Sequence, residues 1–141
     1  MSAAADAIGE TMLTPGAIPL RIWHDVLQSD NPVRFVPEAR IAVDACLASV
    51  THLIGSGRPI YAVNTGFGKL ASIRINDNQL TELQRNLILS HSTGTGEALR
   101  DEIVRLILVM KAAALAQGYS GVRWEVIEAL LTLANKKIYP C

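Results

Sequence analysis

Cysteine is nearly absent: Cys46 and Cys141 are the only two and lie far apart. That excludes a disulfide framework and a CxxC metal knuckle, and it fits a reducing, cytoplasmic compartment. Charge is scarce as well. Charged residues make up 18%, with Lys plus Arg and Asp plus Glu at 13 each, so the formal net charge is zero. The basic footprint of nucleic-acid binding is missing, and no nucleic-acid partner is expected. The longest apolar window, Ile103 to Ala116, is interrupted by Arg105 and Lys111 and is too short to span a bilayer, so no membrane association is expected. The opening Met-Ser-Ala-Ala-Ala-Asp carries no basic residue ahead of an apolar stretch and does not read as a secretory signal. His24, His52 and His91 form no pair at i, i+3 or i, i+4, so no metal site is expected.

What is present is apolar. Half of the residues are hydrophobic, which excludes disorder. The 141 residues suit a single domain, and a chain this short is expected to bury some apolar surface against other chains. The Ala-rich start followed by Thr14-Pro15-Gly16 and Pro19 predicts a poorly ordered terminus within 1–19, with a turn or short strand. A short helix is expected over Leu20 to Gln28, ended by Ser29-Asp30-Asn31-Pro32. From Pro37 to about Leu53 apolar residues recur at helical spacing, and Gly55-Ser56-Gly57 stops that helix.

Residues 58–68 hold too few regular positions for an element and read as an irregular loop, entered through a brief strand at most. Asn76 and Gln79 match the capping-box spacing, and Leu80, Leu83, Leu87 and Ile88 supply an apolar stripe for a third helix ending near Gly94. A fourth spans about Ala98 to Gln117, with Asp101 and Glu102 favourable in its first turn and Gly118 beyond its end. It is apolar nearly all round, as a helix central in a bundle or covered by neighbouring subunits would be. A fifth runs over about Val122 to Lys136. The Tyr139-Pro140 exit has the look of a chain cut within its architecture, because a proline exit normally leads into another element. The fold class expected is mainly α.

The glycine pairs are not phosphate loops. Gly66-Phe67-Gly68-Lys69 runs into Leu70 without Walker spacing, and Gly94-Thr95-Gly96-Glu97 completes no dinucleotide fingerprint. Tyr61 to Gly68 holds more. Gly66 and Gly68 allow backbone conformations closed to other residues, while Asn64 and Thr65 can either bond locally or present polar groups to a ligand. Such a loop can deliver the phenol of Tyr61 to a cleft. For that phenol to act as a base, neighbouring segments must supply positive potential.

The run Tyr61-Ala62-Val63-Asn64-Thr65-Gly66-Phe67-Gly68, followed by Leu83-Gln84-Arg85-Asn86-Leu87-Ile88-Leu89-Ser90-His91, closely resembles the N-terminal part of the histidine ammonia-lyase branch of the aromatic amino acid lyase family. Leu13-Thr14-Pro15-Gly16, Glu102 to Leu108, Gly118-Tyr119-Ser120-Gly121-Val122-Arg123 and Tyr139-Pro140 extend the likeness over nearly the whole chain. Residues 1–141 then form a single N-terminal helical segment of such a protein. The resemblance implies elimination of ammonia from L-histidine to give trans-urocanate, the first step of histidine breakdown. It also implies a cytoplasmic homotetramer, and a methylidene-imidazolone electrophile formed from an internal Ala-Ser-Gly.

By the same resemblance Tyr61 matches the catalytic tyrosine, Asn64, Thr65, Gly66, Phe67 and Gly68 the loop over the active site, and His91 the position facing the substrate side chain. Relatives acting on tyrosine carry His-Leu where this chain has Ser90-His91, and those acting on phenylalanine carry Phe-Leu. An imidazole there can hydrogen-bond the substrate's own imidazole, which favours histidine. Three departures stand out: Ala62 replaces a common glycine, Cys141 stands where a histidine is common, and the sequence holds no Ala-Ser-Gly. The chain alone is therefore expected to be inactive. The alternatives are a non-catalytic helical self-association module of the same fold, built on the apolar stretch Ile103 to Met110, and a related aromatic amino acid lyase or aminomutase.

Overall fold

The computed structural model describes residues 9–57, 60, 61, 63–65 and 79–140. Two short strands and five helices are present among them: β1 (Thr11–Leu13), α1 (Leu20–Gln28), β2 (Val33–Phe35), α2 (Ala39–Gly55), α3 (Leu80–His91), α4 (Asp101–Leu115) and α5 (Trp124–Asn135). The mainly helical class expected from the sequence is the one observed. The chain divides into two compact units, Met1–Ala48 with Ala98–Cys141, and Ser49–Glu97.

The first unit holds the core. Helix α1 keeps the bounds its sequence predicts and turns Val26 inward, with Ile22 and Trp23 partly buried beside it. Beyond it and the turn-forming run Ser29-Asp30-Asn31-Pro32, the chain forms β2, an element the sequence does not announce. Val33 and Phe35 point into the core and Arg34 points out, to an ion pair with Glu10. Three residues are too few for a period of two to mark a strand in the sequence. β2 pairs in parallel with β1, Thr11 opposite Val33 and Leu13 opposite Phe35, so the short strand that the sequence offers within 1–19 is present at 11–13. Residues 1–8 lie outside the described part.

Helix α4 packs against α5 and α1. Leu108, Val109, Ala112, Ala113 and Leu115 are buried, and α5 answers with Ile127, Leu131 and Ala134 at i, i+4 and i+7. Each fully buried Leu, Ile or Val contributes about 1.5–3 kcal/mol. Within the single chain the burial of α4 is one-sided. Ile107 and Met110 are about half exposed, whereas Arg105, which interrupts the apolar window, is buried at 3% exposure. Its guanidinium donates to the carbonyl of Val26 and, at 2.6 Å, to that of Asn31. It thus satisfies a carbonyl from the last turn of α1, a group the helix itself leaves without a partner.

Two chain reversals set the helix ends. Gly118 takes φ 80° after α4, the left-handed conformation its sequence position predicts. After α5 the Ile138 N–H reaches the Leu133 carbonyl at 2.9 Å and the Lys137 N–H that of Ala134 at 3.3 Å, a Schellman closure with Lys137 at φ 55° in the place glycine usually takes.

In the second unit α2 ends at Gly55, and Gly57 turns the chain at φ 74°. Helix α3 begins at Leu80, after Gln79, and ends at His91, short of Gly94. The side chain of Gln79 makes no cap bond, and Asn76, its expected partner in a capping box, lies outside the described residues.

Candidate active site

Tyr61 sits in a tight turn closed around the backbone of Ile60. The Ile60 N–H donates to Asn64 Oδ1 at 2.6 Å. The Ile60 carbonyl accepts from the N–H groups of Val63 at 3.1 Å and Asn64 at 3.2 Å, and from the Thr65 hydroxyl at 3.5 Å. Asn64 and Thr65 are each 1% exposed, while Tyr61 is 62% exposed. Of the two roles the sequence leaves open for Asn64 and Thr65, local bonding is the one these contacts display. Their polar atoms fold the turn, and the turn carries the phenol outward. Gly66, Phe67 and Gly68 lie outside the described residues.

His91 is the last residue of α3. Its Nδ1 lies 2.9 Å from the Leu87 carbonyl oxygen, one helical turn earlier, and 3.0 Å from Ser90 Oγ. The Ser90 hydroxyl donates to that same carbonyl at 3.0 Å. The imidazole is exposed and is folded back along its own helix by Nδ1. The motif singles out His91 but not the bonds of His91 and Ser90 to the Leu87 carbonyl; the i−4 spacing from His91 to Leu87 is the signal in the sequence that points to them.

A cavity of about 360 Å³ in the first unit is lined by Asp30, Asp101, Glu102, Arg105 and Lys137, and it includes neither Tyr61 nor His91. Two of its charges pair with each other, Lys137 Nζ donating to Asp30 Oδ2 at 2.6 Å, and Arg105 is taken up by backbone carbonyls. The hydrogen bond from Lys137, and then the lysine charge, hold the Asp30 carboxyl below its ordinary range. Among the described residues no group of three or more His, Cys, Asp or Glu is arranged to hold a metal ion. No described helix is long and apolar enough to cross a membrane.

Residues 19–141 match the family described as aromatic amino acid lyase. Histidine ammonia-lyase of Salmonella arizonae is 44% identical over 128 residues, covering 91% of this chain and 25% of that protein. The chain therefore spans about a quarter of the length of the curated relatives it matches. Among solved structures, histidine ammonia-lyase from Trypanosoma cruzi superposes with a TM-score of 0.75 at 29% identity, over 90% of this chain and 25% of that one. The ergothionase of Treponema denticola superposes with a TM-score of 0.87 over 94% of this chain and 27% of that one. At 23% identity it speaks for the fold alone.

Proposed function

Because the chain belongs to the aromatic amino acid lyase family, we propose that it is the substrate-facing N-terminal segment of an ammonia-lyase acting on L-histidine to give trans-urocanate. The observation that carries this reading is the exposed His91 at the end of α3, in a sequence 44% identical to a histidine ammonia-lyase. An imidazole edge that meets the substrate side chain can exchange a hydrogen bond with another imidazole, which an apolar residue at the same place cannot.

Tyr61 supplies the acid/base group toward the substrate, held outward on the turn that Asn64 and Thr65 close. Gly66, Phe67 and Gly68 continue that segment as the loop over the site. A homotetramer that completes the site from neighbouring subunits, in the cytoplasm, belongs to the same proposal.

The methylidene-imidazolone electrophile of the family does not fit the residues present. Ala48-Ser49 continues into Val50 inside α2, where helical hydrogen bonding restrains the backbone and no glycine follows to close a ring. Ala71-Ser72 continues into Ile73. The chain alone is therefore expected to leave L-histidine unchanged.

The test is a hybrid in which residues 1–141 replace the matching quarter of the Salmonella arizonae enzyme, assayed for urocanate absorbance. Urocanate from L-histidine, lost in the Tyr61→Phe hybrid, supports the reading. A folded hybrid that acts on L-tyrosine or L-phenylalanine in preference to L-histidine overturns it and favours the aromatic lyase or aminomutase alternative. Urocanate formed by the isolated chain refutes its expected inactivity.

A second reading, a non-catalytic module that associates with copies of itself, is favoured by the apolar residues left in solvent: Leu20 at 83% exposure, Ile107 at 50% and Met110 at 49%. A compact monomer by sedimentation that binds no hydrophobic dye removes its basis.

A further inference from the structure

The proton on His91 is assigned by its surroundings. A carbonyl oxygen has only lone pairs to offer, so Nδ1 at 2.9 Å from the Leu87 oxygen must carry the hydrogen. A bare Nδ1 there would set one lone pair against another. The Ser90 hydroxyl spends its own proton on the same carbonyl, at 3.0 Å, and so turns an oxygen lone pair toward Nδ1, also at 3.0 Å. The three groups close a consistent triangle: two donors, Ser90 O–H and His91 Nδ1–H, point at one carbonyl, and the serine oxygen is a second acceptor for the ring. The opposite arrangement, with Ser90 donating to a bare Nδ1, loses the bond to Leu87 and leaves the two acceptors facing each other. In the neutral ring of this exposed residue Nε2 is then the unprotonated nitrogen.

We propose that Ser90 is a positioning residue: with the Leu87 carbonyl it holds the His91 proton on Nδ1, so that Nε2 offers a hydrogen-bond acceptor to a substrate side chain bearing a ring N–H. The inference rests on the histidine ammonia-lyase reading for the identity of the substrate, and on the geometry of α3 alone for the tautomer. It adds a polarity to the selectivity. A substrate imidazole must present its N–H to His91, leaving its other nitrogen free for a donor elsewhere. A phenyl ring has no such donor, and pairing it with His91 leaves the Nε2 lone pair unsatisfied.

The experiment is nitrogen NMR on the chain labelled with ¹⁵N-histidine at about pH 8.5, above the ordinary imidazole range. His91→Gln identifies the signals of residue 91. The expected result is a protonated, pyrrole-type Nδ1 and an unprotonated Nε2 at position 91. In Ser90→Ala the ratio of the two tautomers shifts about threefold to tenfold toward Nε2–H, the range that one neutral hydrogen bond supports. Ser90→Thr, which keeps the hydroxyl, restores the ratio. A ring protonated mainly on Nε2 in the unaltered chain overturns the proposal. An unchanged ratio in Ser90→Ala removes Ser90 from its positioning role. Because the readout needs no substrate, its failure is separate from failure of the histidine reading, which the hybrid enzyme decides.

Discussion

The side chain of Asn135 pairs with the backbone of Val33 as a neighbouring strand would. The Val33 N–H donates to Asn135 Oδ1 at 2.9 Å, and Asn135 Nδ2 donates to the Val33 carbonyl at 3.0 Å, between residues 102 positions apart. β2 thus has β1 on one edge and a single amide from the end of α5 on the other. Replacing Asn135 by Ala leaves both backbone groups unpaired in a half-buried setting, and the expected loss is about 1–3 kcal/mol. Urea unfolding measures it, and a loss within experimental error would show that water replaces the amide at no cost.

Arg105 ties α4 to the end of α1. Arg105→Met keeps much of the apolar stem but removes the donors to the Val26 and Asn31 carbonyls. The expected destabilisation is about 2–4 kcal/mol, since hydrogen bonds to a charged donor are the stronger kind. Faster amide exchange around residues 26–31 should accompany it. A global loss with no local change there would argue for packing rather than for the carbonyl contacts.

Gly118 faces a different constraint from Gly55. At φ 80°, a Cβ on Gly118 would lie 2.7 Å from the Ala42 carbonyl carbon and 2.8 Å from its oxygen. Both the conformation and the clash with backbone oppose a side chain, so Gly118→Ala should cost about 2 kcal/mol or more. Gly55, the last residue of α2, has nothing within 4 Å of its Cβ position. Gly55→Ala should raise stability by about 0.5 kcal/mol through the unfolded state. Thermal melts of the two variants should move in opposite directions.

Asp30 and Lys137 give the acid limb a defined sign. The Lys137 hydrogen bond and charge hold the Asp30 carboxyl below its ordinary value, so the folded state binds that proton less readily than the unfolded state does. The contribution is present above the ordinary carboxylate range and is lost as the pH falls through the lowered value. Both side chains are well exposed, so the effect is small and screened by salt. Asp30→Asn should flatten the Tm-against-pH curve in that window and leave it unaltered near neutrality. An identical curve in the variant counts against the contact.

Within the candidate site the legible part was the identity of the residues. Tyr61 and His91 come from a motif, and a motif carries residue type and spacing. It does not carry the direction of a hydrogen bond, which is why the bonds of Ser90 and His91 to the Leu87 carbonyl needed the helix geometry. In the sequence Asn64 and Thr65 are polar groups with two available uses, and the closing of the turn on Ile60 displays one of them.

Over the whole chain, the sequence by itself determined what depends on near neighbours. The bounds of α1, the stop after α2 and the left-handed Gly118 all follow from helical periodicity and the conformational freedom of glycine. Tertiary structure alone decided which partners meet. It made a strand of Val33–Phe35 by supplying β1 and Asn135, and it drew Arg105 inside to reach the carbonyls of Val26 and Asn31. It also left Ile107 and Met110 half exposed within the single chain, on a helix that is apolar nearly all round. The physical reason is that local propensity acts over a few residues. A backbone N–H or carbonyl, by contrast, takes its partner from whatever the fold places within about 3 Å, however distant in the chain.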